Sequence, residues 1–119
     1  MAAGGVGRAG EEAAVQYLTQ AGYRILARNV RYRIGEIDIV AADSGCLVFV
    51  EVKTRTNQGF GTAAEAVTAR KQQKLVQLAL VYLAQHGGVD RRCRFDVVTV
   101  GPGPGGGWAC ELIQNAFGA

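Results

Sequence analysis

The stretch GEIDIVAADSGCLVFVEVKTR, residues 35–55, decides the fold of this chain. It contains two strand-like runs joined by a Ser-Gly dipeptide, which is typical of tight turns. Both runs carry ionisable side chains that are costly inside a sheet unless the protein uses them, namely Glu36, Asp38, Glu51 and Lys53. We therefore interpret the segment as a hairpin that carries a candidate active site.

The register of the hairpin depends on the length of its loop. Side chains alternate between the faces of a strand, so Ile37 and Ile39 are expected on one face, and Glu36 and Asp38 on the other. If the Ser-Gly pair alone forms the loop, Asp38 lies directly opposite Glu51. Directly opposed side chains have Cβ atoms about 4.5–5.5 Å apart. A three-residue loop would shift this register by one.

Two carboxylates this close to each other predict a bound cation. At an effective dielectric constant of about 20 they repel by about 3 kcal/mol, so one of them holds a proton or a cation lies between them. Ligands that are all oxygen favour Mg²⁺ or Mn²⁺ over zinc. Lys53 follows on the same strand face as Glu51 and adds a positive charge. This combination suits the stabilisation of charge on a phosphate undergoing hydrolysis.

Two sets of motifs resemble known families. Asp38, followed after twelve residues by Glu51-Val52-Lys53, resembles the PD-(D/E)xK nuclease signature of restriction enzymes and archaeal Holliday-junction resolvases. Ile37 stands where that signature has proline, which leaves the acidic ligand in place. From about residue 7 to the Asn115-Ala116-Phe117 tail, the chain also resembles the small bacterial YraN-type family through Gly10-Glu11 with Ala14, Gly22-Tyr23, Asn29, GEID, FVEVKTR, Phe60-Gly61 and Arg94-Phe95-Asp96.

The resemblance implies an α/β fold with a restriction-endonuclease-like core and a Mg²⁺- or Mn²⁺-dependent nuclease activity on DNA. Branched or otherwise structured DNA is among the substrates it suggests. Asp38 and Glu51 would bind the metal, with the Val52 backbone carbonyl as an additional ligand. Lys53 would orient or deprotonate the attacking water.

A fourth acidic candidate comes from the helix expected over residues 8–20. Helical spacing puts Glu11 on the apolar stripe and Glu12 about 100° away, toward solvent. Capping of the first helical turn is one explanation of Glu11. Its match to the helix-borne acid of the family favours a second one, in which Glu11 completes the acidic cluster. Glu36 is a reserve candidate because it shares the Asp38 face.

Basic residues surround the proposed site and are suited to contacts with a nucleic-acid backbone. They lie in the expected strand 23–32, at the start of the polar stretch 54–66 and in the first turns of the expected helix 68–85: Arg31, Arg55, Arg70, Lys71 and Lys74. A solvated basic surface is the alternative for these residues, and a charge-protected edge strand is the alternative for Arg31.

Length and composition predict one domain over residues 1–119, with a flexible tail at 1–7 and a flexible glycine-rich loop at 101–107. Further strands are expected at 94–100 and 108–113, with a helical turn in the tail, so the pattern predicts a mixed sheet flanked by helices. The net charge of +3 is compatible with a polyanionic partner without requiring one.

The cysteines and the apolar runs predict a cytoplasmic protein. The three cysteines are widely separated and lack CxxC spacing, which disfavours a zinc site or a disulfide framework. No apolar run reaches the length of a membrane helix, and the N-terminus lacks the pattern of a secretion signal.

Two other functions remain open from the sequence. One is a nucleic-acid-binding module that keeps the nuclease fold without cleavage. The other is a dimeric scaffold in DNA processing, because the helix over 68–85 is apolar on nearly all sides and predicts a homodimer. A steep salt dependence of binding would distinguish a nucleic-acid partner from an apolar protein contact.

Overall fold

The computed structural model describes residues 6–55, 67–87 and 92–117. Within these ranges the chain forms a five-stranded sheet with one helix on each face. In chain order the elements are α1 (Val6–Gln20), β1 (Arg24–Tyr32), β2 (Gly35–Asp43), β3 (Cys46–Thr54), α2 (Ala69–Gln85), β4 (Cys93–Pro102) and β5 (Trp108–Phe117).

The strands follow one another across the sheet in chain order. β1, β2 and β3 form an antiparallel meander, β4 lies parallel to β3, and β5 is antiparallel to β4. A parallel pair requires a long connection, and α2 provides it between β3 and β4. The predicted fold class, an α/β protein with a mixed sheet flanked by helices, is confirmed.

Each face of the sheet carries its own apolar cluster. On one face Leu78 and Tyr82 of α2 pack with Phe49 and other buried side chains of the sheet. On the other face Ala14 and Leu18 of α1 pack with valines of β3 and β4. A sheet covered on both sides explains why the run at residues 47–50 is continuously apolar.

The hairpin turn has the predicted length. Ser44 and Gly45 have φ angles of 53° and 81°, and Asp43 pairs with Cys46 on either side of them. Positive φ at both central residues is the pattern of a type I′ turn, whose twist matches that of the flanking strands. Of the two loop lengths left open by the sequence, the two-residue loop is the one present, and its register holds from Asp43–Cys46 to Ile39–Val50, one pair short of Asp38 and Glu51.

The regular ladder between β2 and β3 runs from this turn to the pair formed by Ile39 and Val50. Ile39 packs in the α1-side cluster, but Ile37 packs in the α2-side cluster. The prediction that Ile37 and Ile39 share a face is therefore wrong. The alternation is broken at Asp38, which lies between the pairs that β2 forms with β1 at Arg28–Ile39 and Val30–Ile37, where Asn29 of β1 has a φ of 53°.

Several predicted boundaries differ from the observed ones. α1 begins at Val6, inside the predicted tail 1–7, and β4 extends to Pro102, inside the predicted loop 101–107, where Pro104–Gly106 form a short 3₁₀ turn. The predicted helical turn in the tail is wrong, because β5 continues to Phe117. The Phe117 ring stacks on Phe95 with a centroid distance of 4.9 Å, which holds the end of the strand on the sheet. Of the predicted polar stretch 54–66, residues 56–66 lie outside the described ranges.

α2 begins as predicted, with Thr68 as its N-cap residue. Its buried side is formed by Leu75, Leu78, Ala79, Tyr82 and Leu83. On another side of the helix, Leu80 is 56% exposed. The homodimer through residues 68–85 stays a prediction. In the described part of the chain, neither helix combines the length and the apolar character needed to cross a membrane.

Candidate functional site

Asp38 lies where β2 and β3 separate. Its Oδ2 accepts a hydrogen bond from the backbone N–H of Val52 at 2.9 Å. This bond uses a backbone donor of β3 that lies beyond the last regular pair of the ladder. The hydrogen bond therefore holds the Asp38 carboxylate against β3 at Val52, the residue that follows Glu51.

Burial and neighbouring carboxylates disturb the ionisation of Asp38. Its pKa is raised from 3.8 to about 7, first by the loss of surrounding water and then by repulsion from Glu51, while the Val52 N–H opposes the rise and Glu36 and Glu11 add smaller repulsions. The predicted acidic residues thus lie close enough to act on one another. A carboxyl group that keeps its proton near neutral pH under such repulsion is a place where a divalent cation can replace the proton.

Glu51 is the most enclosed member of the group. Its side chain is 7% exposed, and its Oε2 lies 3.3 Å from Nζ of Lys71 on α2. Lys53, two residues further along β3, is exposed and its backbone pairs with Thr99 of β4. The ion pair with Lys71 joins a segment predicted to bind metal with a segment predicted to contact nucleic acid.

Glu11 faces the sheet as the helix phase predicted. Its side chain is 15% exposed, whereas that of Glu12 is 53% exposed. The Oε1 atom of Glu11 accepts hydrogen bonds from Nδ2 of Asn29 at 3.0 Å and from an Arg28 NH2 group at 3.4 Å. The Glu11 carboxylate is therefore held by β1.

Asn29 is a site residue to which the sequence pattern assigns no role. It has a φ of 53°, in the left-handed region that asparagine tolerates better than most residues. The sequence signal was an asparagine inside a strand of apolar and basic residues. Its conformation turns the amide toward Glu11, so Asn29 positions that carboxylate.

The predicted convergence of three carboxylates on one ion is not present. Among the described residues, no three His, Cys, Asp or Glu side chains are grouped so that they could hold a metal ion. The engagement of Glu11 by Asn29 and Arg28 accounts for this difference. Asp38 and Glu51 still fit a hard cation, because they offer only oxygen donors and their mutual repulsion would be relieved by a divalent ion.

The basic residues of α2 line a cavity of about 350 Å³ beside the turn between β1 and β2. Lys74 closes one wall by donating from Nζ to the Ile34 carbonyl at 3.1 Å. The opposing backbone comes close to the helix at Gly35, where an added Cβ would lie 3.3 Å from Cδ1 of Leu78. The cavity is lined by Ile34, Gly35, Glu36, Thr68, Arg70, Lys71, Lys74 and Leu78.

The other two predicted nucleic-acid contacts have different surroundings. Arg31 is 76% exposed, with its Nε 3.9 Å from Oε2 of Glu36. Arg55 is half-buried, and its guanidinium donates to the Ala109 carbonyl at 3.4 Å. A Cβ at Gly101 would lie only 2.8 Å from the Arg55 Cζ atom. Arg55 therefore packs against β4 and β5, whereas Arg31 reaches the solvent beside Glu36.

A second polar cluster lies at the hairpin end of the sheet. The fully buried carboxylate of Asp96 accepts from the Tyr23 hydroxyl at 2.6 Å and from Nε of Arg94 at 3.0 Å. Arg94 also donates to Asp43 at 2.8 Å, and its pKa is raised mainly by the hydrogen bond to Asp96. A cavity of about 490 Å³ adjoins this cluster. It is larger than the one beside α2, but its Arg94 is held by hydrogen bonds to both Asp43 and Asp96, so we assign the cluster a structural role.

Comparisons with known proteins agree with the resemblance seen in the sequence. A family model described as Uncharacterised protein family UPF0102 matches residues 10–100. A UPF0102 protein of Symbiobacterium thermophilum is 61% identical over 114 residues, which cover 96% of this chain and 97% of the relative. A UPF0102 protein of Nocardia farcinica is 51% identical over 112 residues, with coverages of 94% and 88%.

Among solved structures, SfsA of Pyrococcus furiosus in complex with Ca²⁺ is similar to this chain with a TM-score of 0.38 and 16% identity. The similarity covers 91% of this chain and 60% of the SfsA chain.

Proposed function

The chain belongs to the uncharacterised protein family UPF0102, as its resemblance to the YraN-type family predicted, and from its site we infer a function. We propose that the protein is a metal-dependent nuclease that hydrolyses phosphodiester bonds in DNA. The observation that supports this proposal is the pair formed by Asp38 and Glu51. Both carboxylates are withdrawn from water, and their repulsion contributes to a pKa of about 7 for Asp38. Proteins arrange such conflicts at sites that bind a cation or perform chemistry.

Asp38 and Glu51, with the Val52 carbonyl, would hold Mg²⁺ or Mn²⁺. When bound, the ion would neutralise the two carboxylates and withdraw charge from a phosphate oxygen. The Val52 N–H donates a hydrogen bond to Oδ2 of Asp38 and thereby fixes the orientation of the carboxylate. Glu11 adds negative charge nearby and is positioned by Asn29.

Lys53 is the proposed catalytic residue that acts on the attacking water. Its ammonium follows Glu51 on an ordered strand and is exposed to a bound substrate. As an ammonium, Nζ would orient the attacking water and offset the charge that develops on the phosphate; as a neutral amine, it would take the proton of the water and become that ammonium. The exposed side chains of Arg70, Lys74 and Arg31 would contact neighbouring phosphates. Branched or otherwise structured DNA is the substrate class that we favour.

A nucleic-acid-binding module without cleavage is the second candidate. Two observations favour it: the described residues lack a group of three metal-binding side chains, and Lys71 is paired with Glu51. In this account the basic residues around the cavity beside α2 would bind phosphates, and the carboxylates would only balance charge.

A cleavage assay separates the two candidates. Wild type, Asp38→Asn and Lys53→Met would be incubated with single-stranded, duplex and four-way DNA in Mg²⁺ or Mn²⁺. Arg24→Met serves as a control, because Arg24 is an exposed residue at the far end of β1. We expect both site variants to lose cleavage by about 100-fold or more while DNA binding is retained. Binding without cleavage in every condition would support the binding module, and the absence of both would refute both candidates.

A further inference from the structure

We propose that Lys71 is an internal counter-cation for Glu51 that a divalent ion displaces, and that the displaced ammonium then contacts a phosphate of the nucleic acid. This inference rests on the proposed metal site and adds a coupling between metal binding and nucleic-acid binding. Lys71 would pair first with the Glu51 carboxylate and then, after metal binding, with a phosphate.

The placement of Lys71 is unfavourable for the helix alone. The first turns of α2 contain Arg70, Lys71 and Lys74, and the first turn contains no acidic residue. Cations near the N-terminus of a helix are repelled by its macrodipole. A sequence that departs from this rule indicates an anion nearby, and the Glu51 carboxylate is the anion found, at 3.3 Å.

Glu51 needs a positive partner because its carboxylate is almost fully enclosed. With its side chain 7% exposed, it has lost most of the water that would stabilise its charge. Within the described ranges, Lys71 is the basic residue that lies within ion-pair distance of Glu51. When no metal is bound, Lys71 therefore supplies the balancing charge that Mg²⁺ would otherwise supply.

The backbone of Lys71 is fixed, whereas its side chain is half exposed and flexible. Its N–H donates to Oγ1 of the N-cap residue Thr68 at 3.2 Å. Its side chain is 49% exposed and carries the charge on a flexible four-carbon stem. The same side chain lines the cavity of about 350 Å³ between α2 and the turn before β2, together with Arg70 and Lys74. A phosphate entering that cavity would meet the ammonium without any movement of the helix.

The exchange couples the two ligands. A divalent ion that neutralises Glu51 removes the attraction that holds Lys71 there, and the freed ammonium adds one more positive charge to the cavity. Metal binding then strengthens nucleic-acid binding, and by linkage nucleic acid strengthens metal binding by the same factor.

The test compares Lys71→Met with Lys74→Met in the full chain. Both variants remove one ammonium from the same helix face, but Nζ of Lys74 donates to the Ile34 carbonyl instead of pairing with Glu51. The affinity for Mn²⁺ alone would be measured by isothermal titration calorimetry without DNA. We expect Lys71→Met to bind Mn²⁺ about fivefold more tightly than wild type, because the metal no longer competes with an ion pair. Lys74→Met should bind Mn²⁺ like wild type. Lys71→Arg keeps the charge and should also remain close to wild type, so that a change seen only in Lys71→Met is due to the lost charge, and urea unfolding of Lys71→Met checks that this variant is folded.

A second measurement follows the phosphate side of the exchange. The affinity for duplex DNA would be measured with Ca²⁺ and with EDTA, and the strengthening by Ca²⁺ should be smaller in Lys71→Met than in Lys74→Met. Equal Mn²⁺ affinities for wild type and Lys71→Met would overturn the inference and leave the nuclease proposal standing. Tighter Mn²⁺ binding by Lys71→Met in a protein that never cleaves DNA would support the inference and refute the nuclease proposal. If no variant binds Mn²⁺, both fail.

Discussion

The substitution Asp38→Asn is expected to stabilise the metal-free protein at neutral and alkaline pH. Asparagine removes one charge but keeps a side-chain oxygen that can accept the Val52 N–H, which Asp38 accepts at 2.9 Å. In the folded wild type, burial and the repulsion from Glu51 raise the pKa of Asp38 from 3.8 to about 7. In the unfolded chain this carboxyl ionises near pH 4, so the folded state holds a proton that the unfolded state has released. Raising the pH through this window therefore favours unfolding of the wild type.

The size of the effect follows from the shift. One pKa unit corresponds to about 1.4 kcal/mol, so the two units between about pH 5 and about pH 7 lower the wild-type free energy of unfolding by about 3 kcal/mol. The variant lacks this loss. Urea unfolding of both proteins in EDTA, from about pH 5 to about pH 8, should show the variant gaining about 3 kcal/mol relative to the wild type.

Asp43→Asn is a matched control, since it makes the same chemical change on the same strand. Asp43 accepts from Arg94 at 2.8 Å, so its loss should lower stability at pH 8 instead of raising it. Addition of Mg²⁺ at pH 8 should stabilise the wild type but not Asp38→Asn, because a bound cation replaces the proton. If the wild type does not lose stability relative to Asp38→Asn over this range, the electrostatic conflict at Asp38 is absent and the metal-site reasoning is refuted.

Three further predictions concern residues around the site and the second polar cluster. Glu11→Gln should reduce cleavage more than Glu12→Gln, because Glu11 faces the sheet with 15% exposure against 53% for Glu12; equal effects in the cleavage assay would contradict the helix phase. Tyr23→Phe should lower the free energy of unfolding by about 1–3 kcal/mol, measured in urea, because the buried Asp96 loses its 2.6 Å donor; no change would mean that water replaces the hydroxyl. Asn29→Ala should be about 1 kcal/mol less stable than Asn29→Gly in thermal unfolding, because φ is 53° there, and identical stabilities would argue against the left-handed conformation.

Local patterns were sufficient to predict the hairpin and the phase of α1. The Ser44-Gly45 turn signal located the hairpin and left two loop lengths open, and the register follows from counting residues once the two-residue loop is taken. The contrast in exposure between Glu11 and Glu12 follows from helical geometry alone. Both features depend on residues close together in the chain, so the sequence contains the information directly.

Features that depend on distant contacts could not be predicted in this way. The location of Ile37 depends on the break in alternation at Asp38, which the alternation rule does not anticipate. The extension of β5 depends on stacking of Phe117 against Phe95. The ion pair between Lys71 and Glu51 depends on how α2 crosses the sheet, which neither segment encodes by itself.

The parallel pairing of β3 with β4 has a consequence for the order of assembly. The two strands meet at Phe49 and Phe95, residues that are far apart in the chain, and must wait until α2 has crossed the sheet. The β2–β3 hairpin closes through a two-residue turn, so contacts local in the chain bring Asp38 and Glu51 together. We expect hairpin amides to gain protection before those of β4 in pulsed hydrogen exchange, whereas simultaneous protection would indicate one concerted step. The acidic pair would then exist early in folding, before the cation of α2 arrives to balance it.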